Sequence, residues 1–159
     1  MQRYGNYKKI KRSLLKGGLV FASRRYGKTL ALIEIMYENP RAVVVTCNAN
    51  MKELIDTSYF EKYGTKPVVV QRNSFSSRTI ERVLTAERAD RYSITNNPDF
   101  DVYVDEWFWA NYRGHFKAAV TSAPMRVDII KPSKKEREYI KKTVGKQYPT
   151  LVEFCIYEE

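Results

Sequence analysis

Short apolar runs alternate with polar, helix-like segments along most of the chain. The apolar runs are continuous rather than alternating, which is typical of strands in a sheet covered on both faces. The pattern predicts strands at 18–22, 42–47, 67–71, 100–104, 117–121 and 151–157. It predicts helices at 28–38, 50–60 and 133–143. Strands that alternate with helices indicate an α/β fold with a mainly parallel central sheet.

One further segment, 79–91, is amphipathic. Ile80, Val83 and Leu84 are expected to face inward, and several arginines of the segment are expected to face outward. The helix at 28–38 is expected to stop at Asn39-Pro40, because a residue that precedes proline disfavours helical backbone.

Composition adds one strong feature, an excess of basic residues. The chain has 159 residues, a length typical of one domain (1–159), with 28 Lys and Arg against 18 Asp and Glu and a net charge of +10. Such an excess favours a nucleic-acid partner, with a solvated surface as the alternative. The basic residues concentrate in an N-terminal segment (1–16) and in the C-terminal helix and last strand (131–159). The candidate nucleic-acid contacts are Lys8, Lys9, Lys11, Arg12, Lys134, Lys135, Lys141 and Lys142.

Several classes of protein are disfavoured. No apolar run approaches the roughly 20 residues that cross a bilayer, and the polar N-terminus lacks a signal-peptide core, so we expect a cytoplasmic protein without membrane contact. Cys47 and Cys155 lie in predicted strands, where buried, reduced thiols are expected. No Cys/His spacing suggests a metal site.

A candidate phosphate-binding loop follows the first predicted strand. The P-loop (Walker A) pattern is Gly, four residues, Gly-Lys-Ser/Thr between a strand and a helix. Here Ala22 replaces the first glycine, and a chance Gly-Lys-Thr is the alternative. The residues expected to contact a nucleotide are Ala22, Ser23, Arg24, Arg25, Tyr26, Gly27, Lys28 and Thr29. Backbone N–H groups would cradle the phosphates, Lys28 would neutralise them, and the Thr29 hydroxyl would ligate Mg²⁺.

An acidic pair ends a later predicted strand. Asp105 and Glu106 close the run 100–106, as a Walker B element does. Asp105 would bind the hydration shell of Mg²⁺, and Glu106 would orient and deprotonate the attacking water. A polar strand end is the alternative. A glutamate in this position favours an ATPase, which converts ATP and water to ADP and phosphate, over a nucleotide kinase.

With these motifs in order, the sequence resembles the ATPase part of phage large terminase subunits, the DNA-packaging motors. The likeness covers roughly 17–125. It is carried by the arginine-containing loop 23–29, the strand 42–47 with its following helix, the pair Asp105-Glu106, and 120–124, which is similar to the family's Ser/Thr coupling motif. The resemblance implies a three-layer P-loop NTPase with a mainly parallel sheet of the additional-strand, RecA/terminase-like type.

The resemblance also implies roles and partners. Arg24 or Arg25 would act as an arginine finger, and Thr121 and Ser122 would sense the γ-phosphate. The cofactors would be ATP and Mg²⁺. The partners would be DNA, with duplex favoured, and a homo-oligomeric ring or other subunits of a packaging machine, in the host cytoplasm if the protein is viral. Only some 35 residues follow Pro124, so no nuclease domain is expected, and Gln2 is the candidate for the family's adenine-contacting glutamine.

Two other functions stay open. One is a single-domain, helicase-like ATPase stimulated by single strands. The other is a nucleic-acid-binding regulatory module that uses ATP as a structural ligand. Glu106 favours hydrolysis over the second. An aromatic cluster follows the acidic pair directly and could stack bases, contact a partner subunit or cover the sheet edge. It consists of Trp107, Phe108, Trp109 and Tyr112.

Overall fold

The computed structural model describes residues 7–22, 27–72, 77–121 and 152–155, together with the helical positions 134, 135, 138 and 142. The helices are α1 (Tyr7–Lys16), α2 (Lys28–Glu38), α3 (Ala49–Tyr63), α4 (Ala86–Arg91) and α5 (Trp107–Ala110). The strands are β1 (Gly18–Ala22), β2 (Ala42–Thr46), β3 (Val68–Arg72), β4 (Ser77–Glu81), β5 (Val83–Thr85), β6 (Asp101–Asp105), β7 (Ala118–Thr121) and β8 (Val152–Cys155).

Six of the strands form one sheet in the order β5-β2-β6-β7-β1-β8. All five neighbouring pairs are parallel. The remaining strands, β3 and β4, pair antiparallel in a separate hairpin. These parallel pairs confirm the prediction of an α/β fold with a mainly parallel sheet. A connection between two parallel strands needs a crossover, and helices form several of these crossovers.

Apolar side chains cover both faces of this sheet. On one face α1, α2 and α3 pack against it through residues such as Ile10, Leu32 and Ile55. On the other face lie α4, α5 and β4, with Ile80 and Ala89 in the second cluster. Strand β6 contributes side chains to both faces. Tyr103 belongs to the first cluster, and Val102 and Val104 belong to the second. Burial on both faces explains why the strands read as continuous apolar runs.

The segment 79–91 is not one element but the end of β4, then β5 and α4. Ile80, Val83 and Leu84 are buried, as predicted. The prediction that its arginines face outward is wrong for Arg82, which is 5% exposed. Its guanidinium donates to the carbonyls of Met36 and Asn39 at the end of α2 and to a carbonyl of β2. A buried arginine is tolerated here because these carbonyls satisfy its donors.

The basic N-terminal segment contributes a helix to the core. Ile10 and Leu14 of α1 are fully buried against α2 and the sheet. A single residue, Gly17, joins α1 to β1, and its φ of 94° lies in the left-handed region that glycine adopts without a Cβ clash. The short connection makes α1 run antiparallel to β1, so that α1 begins at the carboxyl edge of the sheet.

Candidate functional site

Polar residues meet at the carboxyl edge of the sheet. β1 ends at Ala22, β2 at Thr46, β6 at Asp105 and β7 at Thr121. The strands are neighbours in register, with Asp105 beside Val120 and Thr121 beside Phe21. In open parallel sheets, ligands bind outside the carboxyl ends of the strands. The described ends of the predicted phosphate loop and the predicted acidic pair therefore lie at one edge.

Gly27 is the N-cap of α2 and has a conformation that favours glycine. Its φ of 99° lies in the left-handed region. A Cβ at this position would lie 2.6 Å from the Cβ of Tyr7, so the first residue of α1 packs directly against it. Lys28 and Thr29 follow in the first turn of α2. Ser23, Arg24, Arg25 and Tyr26 lie outside the described residues, while Ala22 is buried at the end of β1.

The side chains of Lys28 and Glu106 meet across this edge. Lys28 Nζ lies 3.4 Å from Glu106 Oε1, and the two side chains are 12% and 15% exposed. Glu106 has φ 50° and ψ 54°, a left-handed backbone that is uncommon for a residue with a side chain. Such outliers concentrate at functional sites. The turn that begins at Glu106 directs the chain from β6 into α5.

Asp105 is 2% exposed and accepts a hydrogen bond from the Thr46 hydroxyl, 3.1 Å from its Oδ2. Burial, together with the neighbouring charge of Glu106, raises the pKa of Asp105 to about 7, although Lys28 and Thr46 act in the opposite direction. A buried carboxyl held in this way is stabilised as a carboxylate by any cation that binds beside it.

These residues line a cleft of about 640 Å³. One end is formed by the start of α2 and by Asp105 and Glu106. The cleft continues between α2 and α3, with apolar walls and a polar rim. The α2 and α3 residues beyond the motifs are Leu30, Ile33, Met51, Leu54, Ser58, Glu61 and Lys62. Small-molecule sites have this character, apolar walls with a few convergent polar groups.

The described residues could hold Mg²⁺ only if a bound ligand supplied further oxygen atoms to the ion. Within the described residues, no group of three or more His, Cys, Asp and Glu side chains is placed to hold a metal ion. Mg²⁺ at nucleotide sites is bound by one or two protein oxygens, with phosphates and waters completing its octahedron. Asp105 and Thr29, which line the same cleft, match that requirement.

Thr46 was not predicted as a site residue. A polar residue at the end of the β-branched run of β2 could have indicated it, but the sequence does not show that β2 lies beside β6 in the sheet. Leu54, Ser58 and Glu61 were also missed, because they line the cleft only through the packing of α3 against α2. Cys47, just beyond β2, is half-buried rather than buried, and its pKa is raised by burial and by Asp105.

The predicted nucleic-acid contacts do not join the cleft as a group. Lys11 is paired within the domain: its Nζ lies 2.6 Å from Glu34 Oε1 and 2.7 Å from Glu38 Oε2. Lys8, Lys9 and Arg12 are exposed on α1. Also exposed are Lys134, Lys135 and Lys142, whereas Lys141 and Ser122 lie outside the described residues.

The aromatic residues after Glu106 divide between core and surface. Tyr112 is buried, and its hydroxyl donates to the carbonyl of His115. Trp107 packs against the second core cluster, and the side chain of Phe108 is not among those described. Trp109 is half-exposed. Covering the sheet is therefore the role of Tyr112 and Trp107.

In the part of the chain that the structure describes, no helix is long and apolar enough to cross a membrane. Comparisons of the chain with protein-family models, curated proteins and solved structures find no match.

Proposed function

We propose that this chain binds ATP with Mg²⁺ at the carboxyl edge of the sheet and hydrolyses it, as a DNA-associated ATPase of terminase-like type. The observation that carries the proposal is the 3.4 Å approach of Lys28 to Glu106. These residues are 78 positions apart and come from the two motifs that nucleotide hydrolysis needs together, one for phosphate and one for water.

The order of the strands supports the same class. The loop strand β1 and the acidic strand β6 are not neighbours, because β7 lies between them. This inserted strand is what the additional-strand class of P-loop NTPases is named for. β7 ends in Thr121, which is fully buried between the ends of β1 and β6. A role for Thr121 in sensing the γ-phosphate is part of the proposal.

Lys28 and Glu106 have different roles in this proposal because their side chains carry opposite charges. Lys28 binds phosphate oxygens, which replace Glu106 as its partner when the nucleotide enters. Glu106, released from Lys28, orients the water. The water oxygen then bonds to the terminal phosphorus, the bond to the ADP oxygen breaks, and the Glu106 carboxylate accepts the water proton.

Positioning and cation chemistry complete the site. Thr46 fixes Asp105 through their 3.1 Å hydrogen bond. Mg²⁺, held by Asp105 and Thr29, would neutralise phosphate charge. Arg24 or Arg25 would stabilise the charge on the transferred phosphoryl group, by resemblance to the terminase loop.

DNA as the partner is supported by the net charge of +10 and by exposed lysines on the described part of the C-terminal helix. The terminase resemblance favours duplex DNA and translocation. A helicase-like ATPase would instead respond to single strands, and a regulatory module would bind ATP without turnover.

The test is steady-state ATP hydrolysis with and without duplex or single-stranded DNA, alongside direct ATP binding. We expect turnover that duplex DNA stimulates. Lys28→Ala should lose both binding and turnover, whereas Lys66→Ala, an exposed lysine remote from the motifs in sequence, should behave as wild type. Stimulation by single strands alone would favour the helicase-like function. Tight binding without turnover would favour the regulatory module.

A further inference from the structure

The outer face of α1 is a basic stripe with one leucine in it. It consists of Lys8, Lys9, Arg12, Leu15 and Lys16, all exposed, with Leu15 at 48%. The spacing i, i+1, i+4, i+7, i+8 places these five residues on one side of the helix. The opposite side of α1 is buried against α2 and the sheet. Of the basic residues, Lys8, Lys9 and Arg12 make no ion pair within the described part of the chain.

The outer face of α3 has the same spacing and the opposite charge. This acidic stripe consists of Glu53, Leu54, Thr57, Phe60 and Glu61, all exposed. Leu54 is 51% and Phe60 is 53% exposed. Neither glutamate makes an ion pair among the described residues. Within the described part of the chain, three of the six exposed large hydrophobic side chains therefore fall on these two stripes.

The two stripes cannot meet within one molecule. α1 packs on one flank of α2 and over β1, β7 and β8, whereas α3 packs on the other flank and over β5. β5 and β8 are the two edges of the sheet. α2 therefore lies between the two stripes. Two complementary surfaces separated in this way can join only different copies of the chain.

The helices also have compatible directions. α1 leads into the amino end of β1, and α3 leaves the carboxyl end of β2, so both run from the carboxyl edge of the sheet to its amino edge. A rotation that keeps this direction lays α1 of one copy parallel to α3 of the next. In the parallel register that starts at Lys8 and Glu53, Leu15 lies opposite Phe60 and Lys16 opposite Glu61.

We propose that the basic stripe of α1 docks on the acidic stripe of α3 of a second copy of this chain. The contact joins the apolar pair of Leu15 and Phe60 to two ion pairs, Lys8 with Glu53 and Lys16 with Glu61, and Leu54 lies opposite Lys9. It would cover the mouth of the cleft, since Leu54 and Glu61 line both the cleft and the acidic stripe. Two short helix faces make a small interface, so the association is weak and falls with added salt. It is expected with or without nucleotide and does not depend on the proposed function.

Sedimentation velocity over a concentration series, at low and high salt, tests the contact. Wild type should self-associate at low salt. Lys8→Glu/Arg12→Glu and, separately, Glu53→Lys/Glu61→Lys should each weaken self-association at least about tenfold, because each variant sets like charges against each other. An equimolar mixture of the two variants should associate again. Both variants remain net positive, so only the complementary stripes can drive their association.

Arg113→Glu/Lys117→Glu is the matched control, since both residues are exposed and lie outside the stripes. It should associate as wild type does. Leu15→Ala, which changes no charge, should also weaken association, and circular dichroism should show each variant folded. A monomeric wild type at low salt, or a mixture that fails to associate, overturns the proposal. If Lys8→Glu/Arg12→Glu loses DNA affinity while wild type stays monomeric, the basic stripe binds DNA instead.

Discussion

At the scale of single residues, Glu106 combines an unusual backbone with a central position. A left-handed backbone costs a residue with a side chain roughly 1–2 kcal/mol. Glu106 has this backbone conformation at the end of β6, next to Asp105 and in contact with Lys28. The turn brings its carboxylate over the edge of the sheet, where a strand residue next to Asp105 would point to the opposite face.

Glu106→Gln should keep ATP binding and lose hydrolysis, with the rate falling about 10²-fold or more because the amide cannot accept the water proton. Single-turnover kinetics and a binding titration measure the two effects separately. Glu87→Gln, on the exposed α4, is the control and should change neither. Unchanged hydrolysis in the Glu106→Gln protein would refute its role as the base.

Tyr103 presents the converse case, a polar atom without a partner. Its hydroxyl is buried in the core and makes no hydrogen bond to any described residue, whereas the Tyr112 hydroxyl donates to the His115 carbonyl at 2.9 Å. Burial, with a contribution from Asp101, raises the pKa of Tyr103 to about 12. An unsatisfied buried hydroxyl opposes folding rather than favouring it.

Tyr103→Phe should therefore leave the free energy of unfolding unchanged or raise it by about 1 kcal/mol. Tyr112→Phe should lower it by about 1 kcal/mol, because it removes a satisfied hydrogen bond. Urea unfolding of both variants gives the comparison. A clear loss of stability in Tyr103→Phe would mean that its hydroxyl has a bonding partner in solution.

At the scale of elements, Glu34 of α2 forms ion pairs with both neighbouring helices, α1 and α3. Lys11 of α1 contacts Glu34 Oε1 at 2.6 Å, and Lys62 of α3 lies 3.6 Å from Oε2. The Lys11 hydrogen bond is the main reason that the pKa of Glu34 is lowered, although burial acts against it. α2 is thus held between α1 and α3 by charge as well as by apolar packing.

This network predicts a pH dependence of stability. The pKa of Glu34 is lower in the folded protein than its ordinary value of 4.5, so its stabilisation is present above that value and is lost as the pH falls through the folded-state pKa. Glu34→Gln should remove about 1 kcal/mol or less at neutral pH and should flatten the acid limb of the stability curve. Thermal unfolding between neutral and acidic pH measures it, with Glu87→Gln as control. An unaltered acid limb would contradict this account.

At the scale of the whole molecule, positive charge is divided among separate surfaces. The basic residues of α1 form the stripe assigned above to a second copy, and Lys11 is paired within the domain. Among the described candidates, this leaves three exposed lysines as possible DNA contacts: Lys134, Lys135 and Lys142. Each lysine that neutralises a phosphate releases counterions, so their number sets the salt dependence.

DNA affinity should fall by about 40-fold between ~50 and ~200 mM salt if about three phosphates are neutralised. Lys134→Ala/Lys135→Ala should make the double-logarithmic slope shallower by about two, and Lys8→Ala/Arg12→Ala should leave it unchanged. Fluorescence anisotropy with a labelled duplex measures both slopes. A flat salt response would exclude phosphate contacts as the basis of binding.

The sequence by itself determined most of the elements. Continuous apolar runs located β1, β2, β6, β7 and β8 within one or two residues of their ends. α2 was predicted with its observed bounds, because Gly27 precedes it and Asn39-Pro40 follows. The pattern also identified Lys28 and Asp105-Glu106 as candidates, since the spacing of a strand, a glycine and a lysine is a local property of the chain. That they serve ATP hydrolysis and DNA stays a prediction.

Only the tertiary structure decided what these residues meet. Strand order places β7 between β1 and β6 and brings Thr46 to Asp105, and no local pattern encodes which strands become neighbours. Arg82 was expected to face outward, yet it is buried and donates to carbonyls at the end of α2 and in β2, because these partners are 40 or more positions away in sequence. Lys11, a predicted DNA contact, lies beside two carboxylates of α2, which the sequence did not predict. Local periodicity fixes which face of an element is apolar, but burial of polar groups depends on long-range partners that only the packed chain supplies.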